Sequence, residues 1–206
     1  MSTASIYDAV SGEYARLLPD FSYEASKDLA VLNSFIGSIR ESNFPVLDAG
    51  CGAGRLTPLL REAGLKSVGC DLSEGMVKEA RNLYPETVFD LADLQALPYK
   101  SQTFSALISW YSVIHLPKTK VQQALSEFGR VLVPGGQILL AFQAGEGERT
   151  IENAYGSSLP MKAYLYEPAS IASYLDELGF TSITTDRREA SPGEPYAQGF
   201  VRATSS

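Results

Sequence analysis

The sequence predicts an α/β fold with a mostly parallel sheet and helices on both faces. Two observations predict it: short apolar runs alternate with stretches of helical periodicity, and the runs are apolar at consecutive residues. Strands that are buried on both faces of a parallel sheet have this continuous apolar pattern. The predicted strands are Phe44–Ala49, Ser67–Cys70, Thr87–Asp90, Phe104–Trp110 and Gln137–Phe142.

Helical patterns lie between and around these strands. Ser73 is a suitable N-cap for a helix whose apolar face includes Met76 and Val77, and Pro134 with two glycines ends a later helix that contains Val121. We expect one domain in four parts, with an antiparallel strand pair (Thr181–Arg188 and Tyr196–Ala203) at its end. The parts are a helical cap over the sheet's edge (1–41), a core (42–143), an irregular lid or acceptor segment (144–167), and a C-terminal helix with the strand pair (168–206).

Composition excludes several classes of function. The 206 residues carry 17 Lys and Arg against 24 Asp and Glu, a net charge of −7, which argues against binding to nucleic-acid phosphates. No apolar run approaches the ~18 residues of a membrane span, and the N-terminus lacks the pattern of a signal peptide. Two cysteines and one histidine are too few for an ordinary zinc site. We therefore expect a cytoplasmic protein, monomer or homodimer, without a metal.

A glycine-rich turn follows the first predicted strand. It reads Asp48-Ala-Gly50-Cys51-Gly52-Ala-Gly54-Arg55, and glycine there permits tight turns and close approach of a ligand. The turn is neither a dinucleotide fingerprint nor a phosphate-binding loop, because Arg55 and Thr57 stand where these motifs need other residues. The pattern that the turn does match is Asp-x-Gly-x-Gly-x-Gly.

This motif resembles the first motif of the class I methyltransferases that use S-adenosylmethionine. The second strand ends at Asp71, 23 residues after Asp48, and the segments Ala92–Pro98, Ser109–Leu116 and Arg130–Gly136 also resemble the family. The resemblance implies a Rossmann-like sheet of seven strands and S-adenosyl-L-methionine as cofactor, with S-adenosyl-L-homocysteine as product. It implies that Asp71 accepts hydrogen bonds from both ribose hydroxyls and that Asp93 lies near the adenine amine.

The resemblance also assigns two sets of site residues. The expected cofactor-binding residues are Tyr14, Asp48, Gly50, Cys51, Gly52, Gly54, Arg55, Asp71, Leu72, Met76, Asp93, Leu94, Ser109 and Trp110. The expected acceptor residues are Tyr111, His115, Phe142, Tyr155 and Tyr164. Packing is the alternative for the tyrosines, Trp110 and both cysteines, and helix or loop capping is the alternative for the aspartates.

His115 is the only histidine, and it follows the fourth strand, where the resemblance places a general base. A neutral imidazole accepts a proton near pH 7, so His115 is the candidate catalytic base. A structural hydrogen-bonding role is the alternative.

The sequence thus predicts a methyltransferase that acts on an O, N or S atom of a small-molecule acceptor. A nicotinamide-dependent reductase is disfavoured because its Tyr-x-x-x-Lys motif occurs only at Tyr23–Lys27, before the glycine turn. A serine hydrolase lacks its Gly-x-Ser-x-Gly motif, since Asp71 stands in place of the first glycine. The remaining alternative is a module that binds S-adenosylmethionine as a sensor or regulator without transferring a methyl group.

Overall fold

A seven-stranded sheet forms the centre of the computed structural model, which describes residues 2–40, 42–156, 158 and 160–206. The strand order is β3-β2-β1-β4-β5-β9-β8, in which β1 to β5 are parallel and β9 runs antiparallel to both of its neighbours. The strands are β1 (Val46–Ala49), β2 (Ser67–Asp71), β3 (Val88–Leu91), β4 (Phe104–Trp110), β5 (Leu132–Ala144), β8 (Thr181–Arg188) and β9 (Ala197–Thr204).

Within the described residues there are six α-helices, and each half of the core lies against one face of the sheet. Along β4, Leu107 packs into one apolar cluster and its neighbour Ile108 into the other, because successive side chains of a strand point to opposite faces. The helices are α1 (Thr3–Leu17), α2 (Ser26–Ser38), α3 (Thr57–Glu62), α4 (Glu74–Leu83), α5 (Lys118–Val131) and α6 (Pro168–Glu177). The expected Rossmann-like sheet with its antiparallel C-terminal pair is confirmed.

The two N-terminal helices have different positions, which differs from the expectation of a joint cap. Leu32, Phe35 and Ile36 of α2 belong to the core cluster on one face of the sheet, so α2 is a layer helix. Helix α1 buries only Ile6 and Val10 and lies against α4 and the loop before β7. The long apolar stripe of α2 explains the difference, because that stripe needs a sheet face to cover it.

Parts of the segment that was expected to be irregular form strands within the described residues, so that expectation was wrong for those parts. Strand β5 continues to Ala144, and β6 (Glu148–Ile151) pairs with β7 (Met161–Tyr164) as a separate antiparallel hairpin. The alternation along β7, with Met161 and Ala163 buried and Lys162 exposed, carries the strand period of two. The many Gly and Glu residues around it obscure that pattern in the sequence. Among the described residues, no helix is long and apolar enough to cross a membrane.

The candidate cofactor and acceptor cavity

A cavity of about 550 Å³ lies at the carboxyl ends of β1, β2 and β4, beneath helix α1. The strand order reverses between β1 and β4, and open α/β sheets bind ligands in the crevice at such a point. Ten of the fourteen expected cofactor residues and three of the five expected acceptor residues line it. They are Tyr14, Gly50, Gly52, Arg55, Asp71, Leu72, Met76, Asp93, Leu94 and Trp110, with Tyr111, His115 and Tyr155.

Asp71 ends β2 and holds the glycine turn and the start of α4 together. Its Oδ2 accepts a hydrogen bond from the Gly52 amide at 2.9 Å, and its Oδ1 accepts one from the Ser73 amide at 2.9 Å. Burial raises the pKa of this carboxyl, while the backbone amides of Ser73, Gly52 and Leu72 lower it. A carboxylate has about four acceptor positions. Two acceptor positions therefore remain for donors in the cavity.

Position 50 requires glycine because the turn after β1 and the turn after β4 approach each other closely there. It has φ +81°, and a Cβ atom on it would lie 2.1 Å from the Ser112 Cβ. The Ser112 hydroxyl donates to the Ala49 carbonyl at 2.6 Å, which fixes the turn after β4 on the turn after β1. The tight packing of these two turns forms the cavity floor.

Asp48 carries the one buried side-chain oxygen or nitrogen that lacks a hydrogen-bond partner within the described part of the chain. This atom is Oδ2, and the residue is 5% exposed. Burial raises the pKa of the carboxyl to about 7, against the partial compensation of Arg55. An unpaired buried carboxylate is costly, so this oxygen fits a site that receives a donor or a cation when a ligand binds.

Asp93 and Leu94 lie in the segment after β3 and line the cavity beside Leu72 of the turn after β2. The Asp93 carboxylate accepts hydrogen bonds from the backbone and side-chain amides of Gln95 at 2.9 Å each. Much of the hydrogen-bonding capacity of the Asp93 carboxylate is therefore used within its own turn. This agrees with the alternative of a loop-capping role for Asp93. Leu72 is 47% exposed and presents an apolar surface at the cavity rim.

An ion pair closes another part of the cavity. The Arg55 guanidinium lies 2.9 Å from the Glu24 carboxylate, and both side chains are largely buried. The Phe21 ring covers Arg55 with its centroid 4.5 Å from the guanidinium carbon, a cation–π arrangement. The Trp110 indole also donates to Glu24 at 3.4 Å. The segment after α1 thus reaches the start of α3 and the end of β4.

Six of the expected site residues lie outside the cavity lining. Cys51 and Gly54 face the Phe89 side of the glycine turn, where apolar residues of α4 pack. Phe142 is fully buried against Tyr166, because β5 turns this side chain into the core. The others are Asp48 beneath the turn, Ser109 behind Ser112, and Tyr164 of β7, which packs against the core cluster.

Tyr111 follows β4 in the left-handed backbone region, with φ +58°. Such a conformation is costly for a bulky residue and persists where the surroundings hold it. Here the Tyr111 amide donates to the Ala141 carbonyl at 2.9 Å, and its hydroxyl donates to Gln198 Oε1 at 2.7 Å. These bonds hold the phenol at the cavity wall.

His115 lies at the end of the 3₁₀ turn Val113–His115 and contacts α1. Its Nε2 is 2.9 Å from the Tyr7 hydroxyl, and its Nδ1 is 3.3 Å from the Lys162 carbonyl. A carbonyl only accepts, so Nδ1 carries the proton and Nε2 accepts from Tyr7. Burial lowers the pKa of His115 to about 4, which keeps the ring neutral. The lone pair that a general base needs is therefore already used by Tyr7.

Several cavity residues escaped the sequence analysis. Tyr7, Glu24, Gln143 and Arg149 line the cavity, and Asp8 docks α1 by accepting from the Ser73 hydroxyl at 2.6 Å and the Gly75 amide at 3.0 Å. Amphipathic spacing in residues 3–17 places Tyr7 and Tyr14 on one helix face, seven residues apart. No sequence signal marks Arg149, because its position depends on the β6–β7 hairpin.

An ionic cluster supports the wall of the cavity near Tyr111. Arg188 donates to both oxygens of Asp28 at 2.5 and 2.7 Å and to both oxygens of Glu194 at 2.7 and 2.9 Å. The side chains of Arg188 and Asp28 are 10% and 3% exposed, so the cluster is buried where they meet. It ties α2 to β8 and to the turn before β9.

Comparison with known proteins shows which domain family and which proteins this chain is similar to. The methyltransferase domain family matches residues 46–136. The malonyl-[acyl-carrier protein] O-methyltransferase of Salmonella typhimurium is 30% identical over 131 residues, which is 63% of this chain and 51% of that protein. The probable tRNA methyltransferase 9B of Homo sapiens is 33% identical over 139 residues, which is 66% of this chain and 29% of that protein. This chain therefore spans about half or less of these relatives.

A solved structure shares the fold over nearly the whole chain. Magnesium protoporphyrin IX methyltransferase from Synechocystis PCC 6803, with bound S-adenosylhomocysteine, matches with a TM-score of 0.73 at 22% identity. The match covers 98% of this chain and 97% of that chain. The matched methyltransferase domain, the strand order and the position of the cavity at the β1–β4 crossover are consistent with one another. Residues 46–136 thus match the methyltransferase domain family, and the chain shares its fold with a structure that holds S-adenosylhomocysteine.

Proposed function

We propose that this protein transfers a methyl group from S-adenosylmethionine to an O, N or S atom of a small organic acceptor. The observation that carries the proposal is Asp71, whose carboxylate faces the cavity from the end of β2 with two acceptor positions remaining. A ribose with two free hydroxyls fits that arrangement. Asp48 supports it further: it lies beneath the glycine turn and outside the cavity lining, so the charge of its unpartnered carboxylate would act through the turn on the ammonium group of the cofactor's methionine part.

Charge around the cavity supports a small acceptor over RNA. Within the described residues, the lining carries more carboxylates than cationic side chains, namely Glu24, Asp28, Asp71, Asp93 and Glu194 against Arg55, Lys120 and Arg149. RNA binding needs a surplus of basic residues along the path of the phosphates. The chain as a whole also carries a net charge of −7. Its relatives include tRNA methyltransferases, so RNA remains the acceptor to test against.

Bound S-adenosylmethionine supplies an electrophilic methyl group, and the protein's task is to orient the acceptor atom behind it. Orientation alone contributes about 7–11 kcal/mol in well-aligned reactions. We propose that Tyr7 is the hydroxyl that faces the acceptor and that His115 acts through it. As the acceptor atom bonds to the methyl group, its O–H or N–H becomes strongly acidic and its proton passes to the Tyr7 oxygen, while the Tyr7 proton moves to His115 Nε2 along the existing 2.9 Å hydrogen bond. The Lys162 carbonyl holds the imidazole in the tautomer that this transfer needs.

Mass spectrometry tests the function directly. The protein is incubated with S-adenosylmethionine and a small-molecule library, and in parallel with total tRNA, and S-adenosylhomocysteine release is measured. We expect release with some small molecules and none above background with tRNA. Release with tRNA alone would overturn the small-molecule acceptor. Cofactor binding without release from any acceptor would favour a sensor or regulatory module instead.

A further inference from the structure

Arg149 of β6 is a partly buried cation at the wall of the cavity, and two neighbouring side chains orient it. Its Nε donates to Gln143 Oε1 at 2.8 Å, and its guanidinium lies over the Tyr196 ring, 5.0 Å from the centroid. Gln143 comes from the end of β5, so the bond joins the hairpin to the central sheet. An amide oxygen and an aromatic face orient the guanidinium, and neither neutralises its charge.

No Asp or Glu of the described residues lies within 4.0 Å of Arg149, whereas the neighbouring arginines are all paired. Arg55 is neutralised by Glu24. Arg188, behind the cavity wall, is neutralised by Asp28 and Glu194. The carboxylates that line the cavity near these arginines are therefore already compensated, and the charge of Arg149 is not.

The groups around Arg149 in the cavity are neutral. Tyr7, His115 and Tyr155 are close enough to Arg149 for its charge to affect their titration, and all three are uncharged near neutral pH. Ile151, two residues along the same strand, adds an apolar surface to the lining. This end of the cavity thus combines one positive charge with aromatic and aliphatic walls.

We propose that Arg149 binds the carboxylate of the methyl acceptor, so that the acceptor is an organic acid with an aromatic or aliphatic body. The inference rests on the proposed function and names its substrate class. A guanidinium matches a carboxylate in both charge and planar geometry, and such pairs are stronger than neutral hydrogen bonds. The rings of Tyr7 and Tyr155, with Ile151, would pack against the body of the acid.

Matched ligands test this inference by binding alone. Thermal melts are recorded at saturating S-adenosylhomocysteine with arylalkanoic acids of one to four methylene groups, with the matching primary amides and amines, and with the matching phosphonates. We expect at least one acid to raise the melting temperature beyond S-adenosylhomocysteine alone, and its amide and amine to have little effect. If no acid bound better than its amide, or if amines or phosphonates bound most tightly, the carboxylate assignment would be overturned.

Single substitutions test whether Arg149 is the group that binds the acid. Arg149→Gln should weaken binding of the acid roughly tenfold or more while keeping the melting shift with S-adenosylhomocysteine, which also shows that the variant folds. Arg61→Gln removes one positive charge from an exposed position of α3 and should leave acid binding unchanged. Equal acid affinity in wild type and Arg149→Gln would overturn the inference. If S-adenosylhomocysteine gives no shift in the wild type, the proposed function itself fails.

Discussion

The Tyr7 hydroxyl lies 2.9 Å from Nε2 of His115, which joins helix α1 to the turn after β4 across 108 residues of chain. The two rings meet nearly edge to face, with centroids 5.3 Å apart. This contact changes the interpretation of His115 as a lone general base, because Tyr7 occupies the nitrogen that would accept a proton. It makes the pair, and the helix that carries Tyr7, part of the candidate acceptor site.

Tyr7→Phe removes the hydroxyl and keeps the ring. If the proton passes through Tyr7, kcat should fall by ~10²–10⁴-fold, the usual share of proton transfer, while the affinity for S-adenosylhomocysteine stays within about twofold. Steady-state kinetics and calorimetry measure the two quantities. Tyr174→Phe, at a tyrosine of α6 outside the cavity lining, is the matched control. A Tyr7→Phe variant with normal kcat would leave this pair a purely structural role.

Asp71→Ala removes the carboxylate that faces the cavity. We expect the dissociation constant of S-adenosylhomocysteine to rise by more than about tenfold, because ribose hydroxyls in a partly dry site would lose a charged acceptor. The amides of Gly52 and Ser73 would also lose their partner, so the glycine turn should loosen. Calorimetry gives the affinity, and Asp186→Ala on the exposed strand β8 is the control. Unchanged affinity in Asp71→Ala would contradict the ribose role.

Asp48→Asn tests the unpartnered carboxyl through its pH dependence. The pKa of Asp48 is about 7 in the folded protein, above the usual 3.8, so the folded state binds a proton more tightly than the unfolded state. Ligand-free wild type should therefore lose stability relative to Asp48→Asn as the pH rises from about 4 to 7, by an amount on the order of 1 kcal/mol or more. Urea unfolding at pH 5 and pH 8 measures the difference.

The same variant should bind S-adenosylmethionine more weakly at pH 8, because an amide cannot neutralise the cofactor's ammonium group. A variant that is more stable without ligand and binds it less well would fit a carboxylate kept for ligand binding. Equal stability of wild type and variant at both pH values would show that the Asp48 carboxylate already has a partner in the folded state.

Arg188→Met removes the cation that holds Asp28 and Glu194. Asp28 would then be an uncompensated buried charge, and breaking a buried ion pair in this way costs about 3–5 kcal/mol. Denaturant unfolding should show a loss of this order. Arg187→Met, at the adjacent and largely exposed arginine, should change stability far less. Similar stabilities for the two variants would contradict a stabilising role for the cluster.

Helix α1 and the β6–β7 hairpin are predicted to close over the bound cofactor and the acceptor. Few apolar side chains of α1 are buried, and the helix is held by polar contacts such as that of Asp8 with Ser73, so it should exchange amide hydrogens readily without ligand. Exchange in residues 3–17 and 148–164 should slow when S-adenosylhomocysteine is added. Equal exchange with and without the ligand would reduce both segments to ordinary surface packing.

The sheet, its helices and the glycine turn were predictable from the chain because their signals are local. Continuous apolar runs mark β1 and β4, the spacing of Met76 and Val77 behind Ser73 marks α4, and Asp48 with its glycines marks a turn. Each signal lies within about a dozen residues. The resemblance to class I methyltransferases predicted Asp71 as a cofactor residue, and Asp71 lines the cavity at the carboxyl ends of the parallel strands.

Contacts between distant segments depended on packing. Which side of the glycine turn faces the cavity depends on Phe89 and Ser112, so Gly54 and Cys51 point away while Gly52 lines it. The contact of Tyr7 with His115 and the placement of Arg149 beside Gln143 require α1 and the β6–β7 hairpin to dock on the sheet. Periodicity specifies which face of an element is buried, whereas the fit of side chains across the fold decides which residues of two elements meet.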